Sequence, residues 1–395
     1  MNTRTPYHHR VAGLALGIGA ALPALAHPLT VIHGFSASAN LGGGTIASPN
    51  GTLYGVLSNG GRCGNAGCVY ALSPPPQPGG EWSYSTIFQF HESSGAYGPE
   101  GQLTLGSKGE LYGYTGYGSG IIYRLTPPRS GTGAWSFTKL GALGDGFSPN
   151  QAAPLILSGG GLFGISTGGS QTCPYVGCGG VFEVAPNLNG GWTTTTIAAF
   201  DGGSLGGSPT GFAGPDMNGG FYVANQYKGK LIYLVSADSS WQAFEAAAFP
   251  HSTALGCLVL GANGTLYGVA GSFARGKFFQ IQPNSASTAW SETTIADISD
   301  HQYAPCPEIQ GPGGSLIGTV FGDQDFYDGD IFQLTPPESG SGSWTYHILV
   351  HVGITGRFGP INAVFGWQGD LYTPVNTAYG PPSAILQYSY PPKSR

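Results

Sequence analysis

The chain has 395 residues, of which 69 are Gly and 30 are Pro, and only 9% are charged, against about a quarter in an average soluble protein. The formal net charge of −6 excludes a basic footprint for nucleic acid. With 41% hydrophobic and 12% aromatic residues, the Gly and Pro belong to turns around a buried core rather than to disorder.

Residues 1–26 read as a secretory signal. Arg4 and Arg10 form a positive start, Val11 to Leu22 an apolar run, and Ala24-Leu25-Ala26 a small-x-small cleavage site. A membrane anchor is the competing reading, but the run is shorter than the ~20 residues needed to span. Residues 27–395 are therefore expected to be one exported, soluble domain, periplasmic or secreted. It is expected to be monomeric, with no membrane insertion after signal cleavage.

The rest of the chain repeats itself. Leu53, Leu111, Leu162, Phe221, Leu266, Leu316 and Leu371 mark seven units. Each marker follows a glycine two residues earlier: Gly51, Gly109, Gly160, Gly219, Gly264, Gly314 and Gly369. A period near 50 residues with several short strands per unit points to an all-β, seven-bladed β-propeller of four-stranded antiparallel blades. In each unit an inner strand A is short and poor in bulk, as at Leu258-Val259-Leu260. A glycine turn then leads into strand B with the marker. In Asn263-Gly264 both turn positions are expected at positive φ. Strand C alternates, as in Val181-Phe182-Glu183-Val184, and often stops at proline (Pro127, Pro186, Pro283, Pro336), which has no N–H to donate to the ladder.

An outer strand D opens with Trp82, Trp135, Trp192, Trp241, Trp290 or Trp344 in six units. An apolar residue usually follows five positions later and always eight later, as at Ile87 and Phe90. The seventh unit ends after Ile385-Leu386-Gln387-Tyr388 without a Trp strand. Leu29 to Phe35 has Ile32 and Phe35 at the outer-strand spacing, so the start of the chain is expected to pair there and close the ring. Six repeats with an unrelated tail is the competing count.

Six Cys in an exported chain favour disulfides. Cys63 and Cys68, and Cys173 and Cys178, sit at equivalent places in their repeats. Zinc is the competing reading of each pair. Cys257 and Cys306 lie just ahead of turns in neighbouring repeats, and would staple two blades if they meet.

The pattern resembles the GloVer tandem-repeat family of exported bacterial proteins. The resemblance rests on Gly51-Thr52-Leu53-Tyr54-Gly55, Ser58-Asn59-Gly60-Gly61 and Val69-Tyr70-Ala71-Leu72-Ser73-Pro74, and covers residues 36–390. Units four (Phe221-Tyr222-Val223), six (Leu316-Ile317-Gly318) and seven (Leu371-Tyr372-Thr373) depart from it. The resemblance implies an exported repeat protein and supplies no catalytic residues.

The D–A and B–C connections of such blades share one face, which holds most of the loop charge and is expected to carry function. On it, Asp300-His301-Gln302-Tyr303 suggests an acid–base pair. His301 and Tyr303, with His251, could take a proton α to a uronate carboxyl that Arg275 or Arg357 neutralises; an ordinary solvated loop is the alternative. His91, Tyr97, Tyr117, Tyr227, Lys228, Tyr327, Arg357 and Tyr379 form a candidate sugar-stacking surface. Asp323, Asp325, Asp328 and Asp330 place four carboxylates in eight residues, a density that suits calcium without matching an EF-hand; a solvated acidic loop is the competing and favoured reading. No cofactor is required by any motif. The expected function is a binding scaffold for extracellular carbohydrate or a cell-envelope partner. A polysaccharide lyase or hydrolase is the second reading, and a structural envelope protein the third.

Overall fold

The computed structural model describes residues 29–390, except 118–119, 130, 132, 145–146, 150–152, 170–172, 174–176, 239, 250–253, 273–274, 284–289, 299–305, 321–328, 339–341, 353–360 and 377–382. Seven antiparallel sheets follow one another in chain order. The fifth is representative: strand A is Ala254–Leu260, B Leu266–Ser272, C Arg275–Pro283 and D Trp290–Ile298. The last sheet takes its outer strand from the start of the chain. Leu29–Gly34 pairs with Ala384–Tyr388, Leu29 opposite Tyr388 and Gly34 opposite Ala384. The protein is thus a seven-bladed β-propeller closed by its N-terminal strand, as the sequence leads one to expect. No helix among the described residues is long and apolar enough to cross a membrane.

The seven marker glycines have φ between 76° and 84°, a region that residues with a Cβ enter only at a cost. The turn chemistry differs from expectation in the fifth hairpin. Gly264 N–H bonds to Gly261 O, Gly261 N–H bonds to Thr265 O, and Asn263 is not at positive φ. The turn is therefore type I followed by a left-handed glycine, not a two-residue turn with both positions at positive φ. Asn263 serves through its side chain, whose Oδ1 accepts the Thr265 N–H at 3.1 Å. In the third hairpin Gly159 and Gly160 both have positive φ.

The core is not one mass but seven wedges, one between each pair of neighbouring blades. The repeated motif builds these wedges. The aromatic residue after the marker receives the tryptophan of the next blade: Tyr372 meets Trp82 at 5.3 Å, Tyr54 meets Trp135 at 6.0 Å, and Tyr267 meets Trp344 at 5.7 Å between centroids. The glycine that follows makes room across the sheet. Gly55, Gly113, Gly164, Gly268 and Gly318 lie opposite Tyr70, Tyr123, Phe182, Phe279 and Phe332. A Cβ added at any of the five would come within 2.3–2.7 Å of that ring or its hydroxyl. Units four and seven depart from the motif where the cross-strand partner is aliphatic: Val223 faces Ile232 and Thr373 faces Leu386. The departures are thus compensated pairs.

Each outer strand carries a bulge, at Ile32, Ile87, Leu140, Ile197, Ala246, Ile295 and Leu349, where the register with strand C slips by one residue. The extra residue turns the strand over. Before the bulge, Trp82 and Tyr84 pack on blade seven. At the bulge and after it, Ile87 and Phe90 pack on blade two. One strand thereby serves two interfaces. At the closure seam His33 stacks on Tyr84, 4.8 Å between centroids. Burial, and secondarily Arg62, holds its imidazole below the ordinary histidine range.

Candidate functional site

The loop face presents a paired tyrosine platform. Tyr97 lies in the connection from blade one to blade two, and Tyr117 in the B–C loop of blade two. Their rings are parallel, 1° apart in orientation and 5.7 Å between centroids, with Tyr117 49% exposed. Backbone bonds fix the pair. Gly98 N–H donates to Ala66 O at 2.8 Å, and Gly98 O accepts from Gly116 N–H at 2.8 Å. Ala66 sits in the loop closed by the Cys63–Cys68 disulfide, so blade one braces the platform of blade two. Gly98 has φ 63°, and a Cβ there would meet Tyr117 Cδ2 at 2.0 Å. The ring therefore lies flat over a position that only glycine can occupy. Thr115 Oγ1 adds a bond to Tyr117 O at 3.4 Å and accepts the Ile121 N–H at 3.2 Å.

His91 is exposed at the head of the same connection as Tyr97, and its carbonyl accepts the Ser94 hydroxyl at 2.6 Å. Tyr227 and Lys228 lie two blades away. Lys228 occupies the turn with φ 69°; its ammonium donates to Gly203 O at 2.9 Å and sits 5.9 Å over the Tyr227 ring. That lysine ties the B–C turn of blade four to the connection that enters the blade. Arg275 opens strand C of blade five opposite Ser272. Asp330 Oδ1 is 2.7 Å from His351 Nδ1, so of the four acidic residues the one that is described is joined to a histidine. His251, His301, Tyr303, Asp323, Asp325, Asp328, Tyr327, Arg357 and Tyr379 lie outside the described residues. Among the described residues no three His, Cys, Asp or Glu side chains group as a metal would need. All six cysteines are paired: Cys63–Cys68, Cys173–Cys178 and Cys257–Cys306, the last joining the inner strands of blades five and six.

The seven inner strands enclose an axial cavity of ≈ 360 Å³. Its wall is mostly small and apolar, with Gly43, Gly44, Gly211, Phe212, Leu258 and the Cys257–Cys306 disulfide. Glu308, in strand A of blade six, is the one ionisable side chain on this wall among the described residues. Thr319 Oγ1–H donates to its carboxyl at 2.6 Å, and the Ala363 N–H of blade seven donates to its other oxygen. Burial pushes the Glu308 carboxyl up to about 8, although both hydrogen bonds pull the other way. Sequence reading passed over this residue. The available signal was a charge within an inner strand, a feature it shares only with Glu100 of Pro99–Leu105 in blade two among the described inner strands.

Fold and loop face together define a closed propeller with a braced aromatic platform at its rim and an acid on its axis. No family model and no curated protein matches the sequence. Among solved structures the chain is similar to an ancestral GH74 enzyme, with TM-score 0.59 and 11% identity over 89% of this chain and 48% of that one. It therefore spans about half the length of that enzyme. It is also similar to a streptogramin B lyase (TM-score 0.55, 11% identity, 92% of this chain and 97% of that one). A third is virginiamycin B lyase from Staphylococcus aureus (TM-score 0.54, 10% identity, 92% and 99%). At these identities the likeness is one of fold.

Proposed function

We propose that the protein is an exported binding propeller whose ligand is an extracellular or cell-envelope carbohydrate, docked on Tyr97 and Tyr117. The observation that carries this reading is the parallel tyrosine pair, one ring half-exposed, held by backbone bonds from two blades. A tyrosine ring offers a flat apolar face for the C–H side of a sugar and a hydroxyl at its edge. A platform ordered before binding loses little entropy on complex formation. Export is supported by three disulfides, which persist in oxidising compartments, and by the resemblance to the GloVer repeats.

A glycan array followed by calorimetry tests the reading. Tyr117→Ala is expected to weaken the best glycan about tenfold or more and to leave the unfolding midpoint unchanged, because the ring is at the surface. Equal affinity in the variant would remove the platform from the account. Turnover in place of binding, seen as an unsaturated, ultraviolet-absorbing product from a uronate polysaccharide and lost in His301→Ala, would make the protein a lyase.

A further inference from the structure

The axial cavity is chemically one-sided. Gln102 of blade two donates its Nε2–H to Thr45 O at 2.8 Å, which leaves its Oε1 as an acceptor on the cavity wall with no partner among the described residues. Asn362 is engaged with Thr45, accepting its N–H at 3.1 Å and donating to its carbonyl at 3.4 Å. Glu308 uses one lone pair on each oxygen for Thr319 and Ala363, and a carboxylate has about four. Blades two and six lie nearly opposite each other around the ring. The described wall therefore offers side-chain acceptors from two sides, and its side-chain donors are the second amide hydrogens of Gln102 and Asn362. Gly44 keeps the space open, since a Cβ there would meet the Asn362 amide at 2.3 Å.

This arrangement sorts ligands by charge, because Glu308 is the one ionisable side chain on the described wall. An anion would meet the carboxylate. A neutral polyol could take the second amide hydrogens of Gln102 and Asn362, but it brings no charge to offset the buried carboxylate. Calcium takes six to eight oxygen ligands, and the wall supplies few side-chain oxygens. A primary ammonium is a compact cation with three donors and no acceptor, and an alkyl stem fits the apolar remainder. We propose that the axial cavity binds a small organic cation, its ammonium group held between the Glu308 carboxylate and the Gln102 amide oxygen. At ≈ 360 Å³ the cavity is at the small end of ligand pockets, which run from about 300 to 1,000 Å³. This site is separate from the tyrosine platform and does not depend on it.

The carboxyl must ionise to hold the cation. The polar side chain that blade two adds to the same wall, Gln102, and the neighbours from blades six and seven, Thr319, Asn362 and Ala363, are all neutral, so Glu308 alone sets the pH dependence among the described residues. Calorimetry with ethylammonium, at constant ionic strength in amine-free buffer, reads it directly. Binding is expected at pH 9 and is expected to be weaker by roughly two orders of magnitude at pH 6, since a group titrating near 8 is almost wholly protonated there. Ethanol, the neutral isostere, is expected not to bind. Glu308→Gln is expected to abolish binding at pH 9 while the protein still melts cooperatively. No heat with ethylammonium at pH 9, equal affinity at the two pH values, or unchanged affinity in the variant would each overturn the proposal; the first two need no variant.

Discussion

Glu308→Gln is expected to make the protein more stable than wild type at pH 8.5 and equally stable at pH 4.5. The unfolded carboxyl titrates at 4.5 and the folded one at about 8. Between these values the folded state holds a proton that the unfolded state has lost. Raising the pH therefore favours unfolding. The stability contribution is fully present below 4.5, falls as pH rises, and levels off above 8. Its size is about 4 kcal/mol over the whole window. Glutamine reproduces the protonated acid: its oxygen can accept the Ala363 N–H while its amide donates to Thr319 Oγ1, whose hydroxyl rotates to suit. The variant should therefore lack this component of the pH dependence. Urea unfolding of both proteins from pH 4.5 to 8.5, in amine-free buffer, measures the difference. Parallel curves would mean that Glu308 is charged at neutral pH.

Gly268→Val is expected to destabilise the fifth blade by about 3 kcal/mol, and Phe279→Ile to recover much of that loss in the double variant. A Cβ at Gly268 would lie 2.6 Å from Phe279 Cζ and 2.9 Å from Leu258 Cδ2, inside a sheet that cannot part. Blade four already holds the alternative pair, Val223 opposite Ile232, and folds with the same four-stranded order. Phe279→Ile alone should lose packing, since Phe279 is fully buried. The coupling energy of the cycle is thus expected to be favourable by 1–3 kcal/mol, within the ordinary range for contacting residues. Additive costs would show that glycine at this position serves the strand and not the ring across from it.

The repeat made most of this architecture legible in one sequence. The glycine two residues before each marker has the left-handed φ it was expected to need, and Ile32 and Phe35 revealed the closing strand because they keep the spacing of Ile87 and Phe90. The same spacing also held an unread signal. Five and eight cannot both follow from strict alternation, and the bulge at Ile87 and its six counterparts is what reconciles them. The turn at Asn263-Gly264 was misread because type I and mirror-image turns share a preference for Asn and Gly; the hydrogen bonds at Gly261 decide between them. Of the site, the tyrosines could be named from loop position, but their pairing could not, because it depends on Gly98 accepting a ring that is 19 residues away in sequence. Glu308 was missed for a related reason. Its environment is made by seven strands from the whole length of the chain, and no local window contains them.

The central claim is a division of labour: repeated residues build the wedges between blades, and the D–A and B–C loops carry the binding. Hydrogen exchange with the best glycan from the array tests it most directly. Protection is expected at residues 91–98 and 114–117, with none at the repeated turns around Gly109, Gly264 and Gly369. Protection at those turns, with the Tyr97–Tyr117 loops unchanged, would contradict the account.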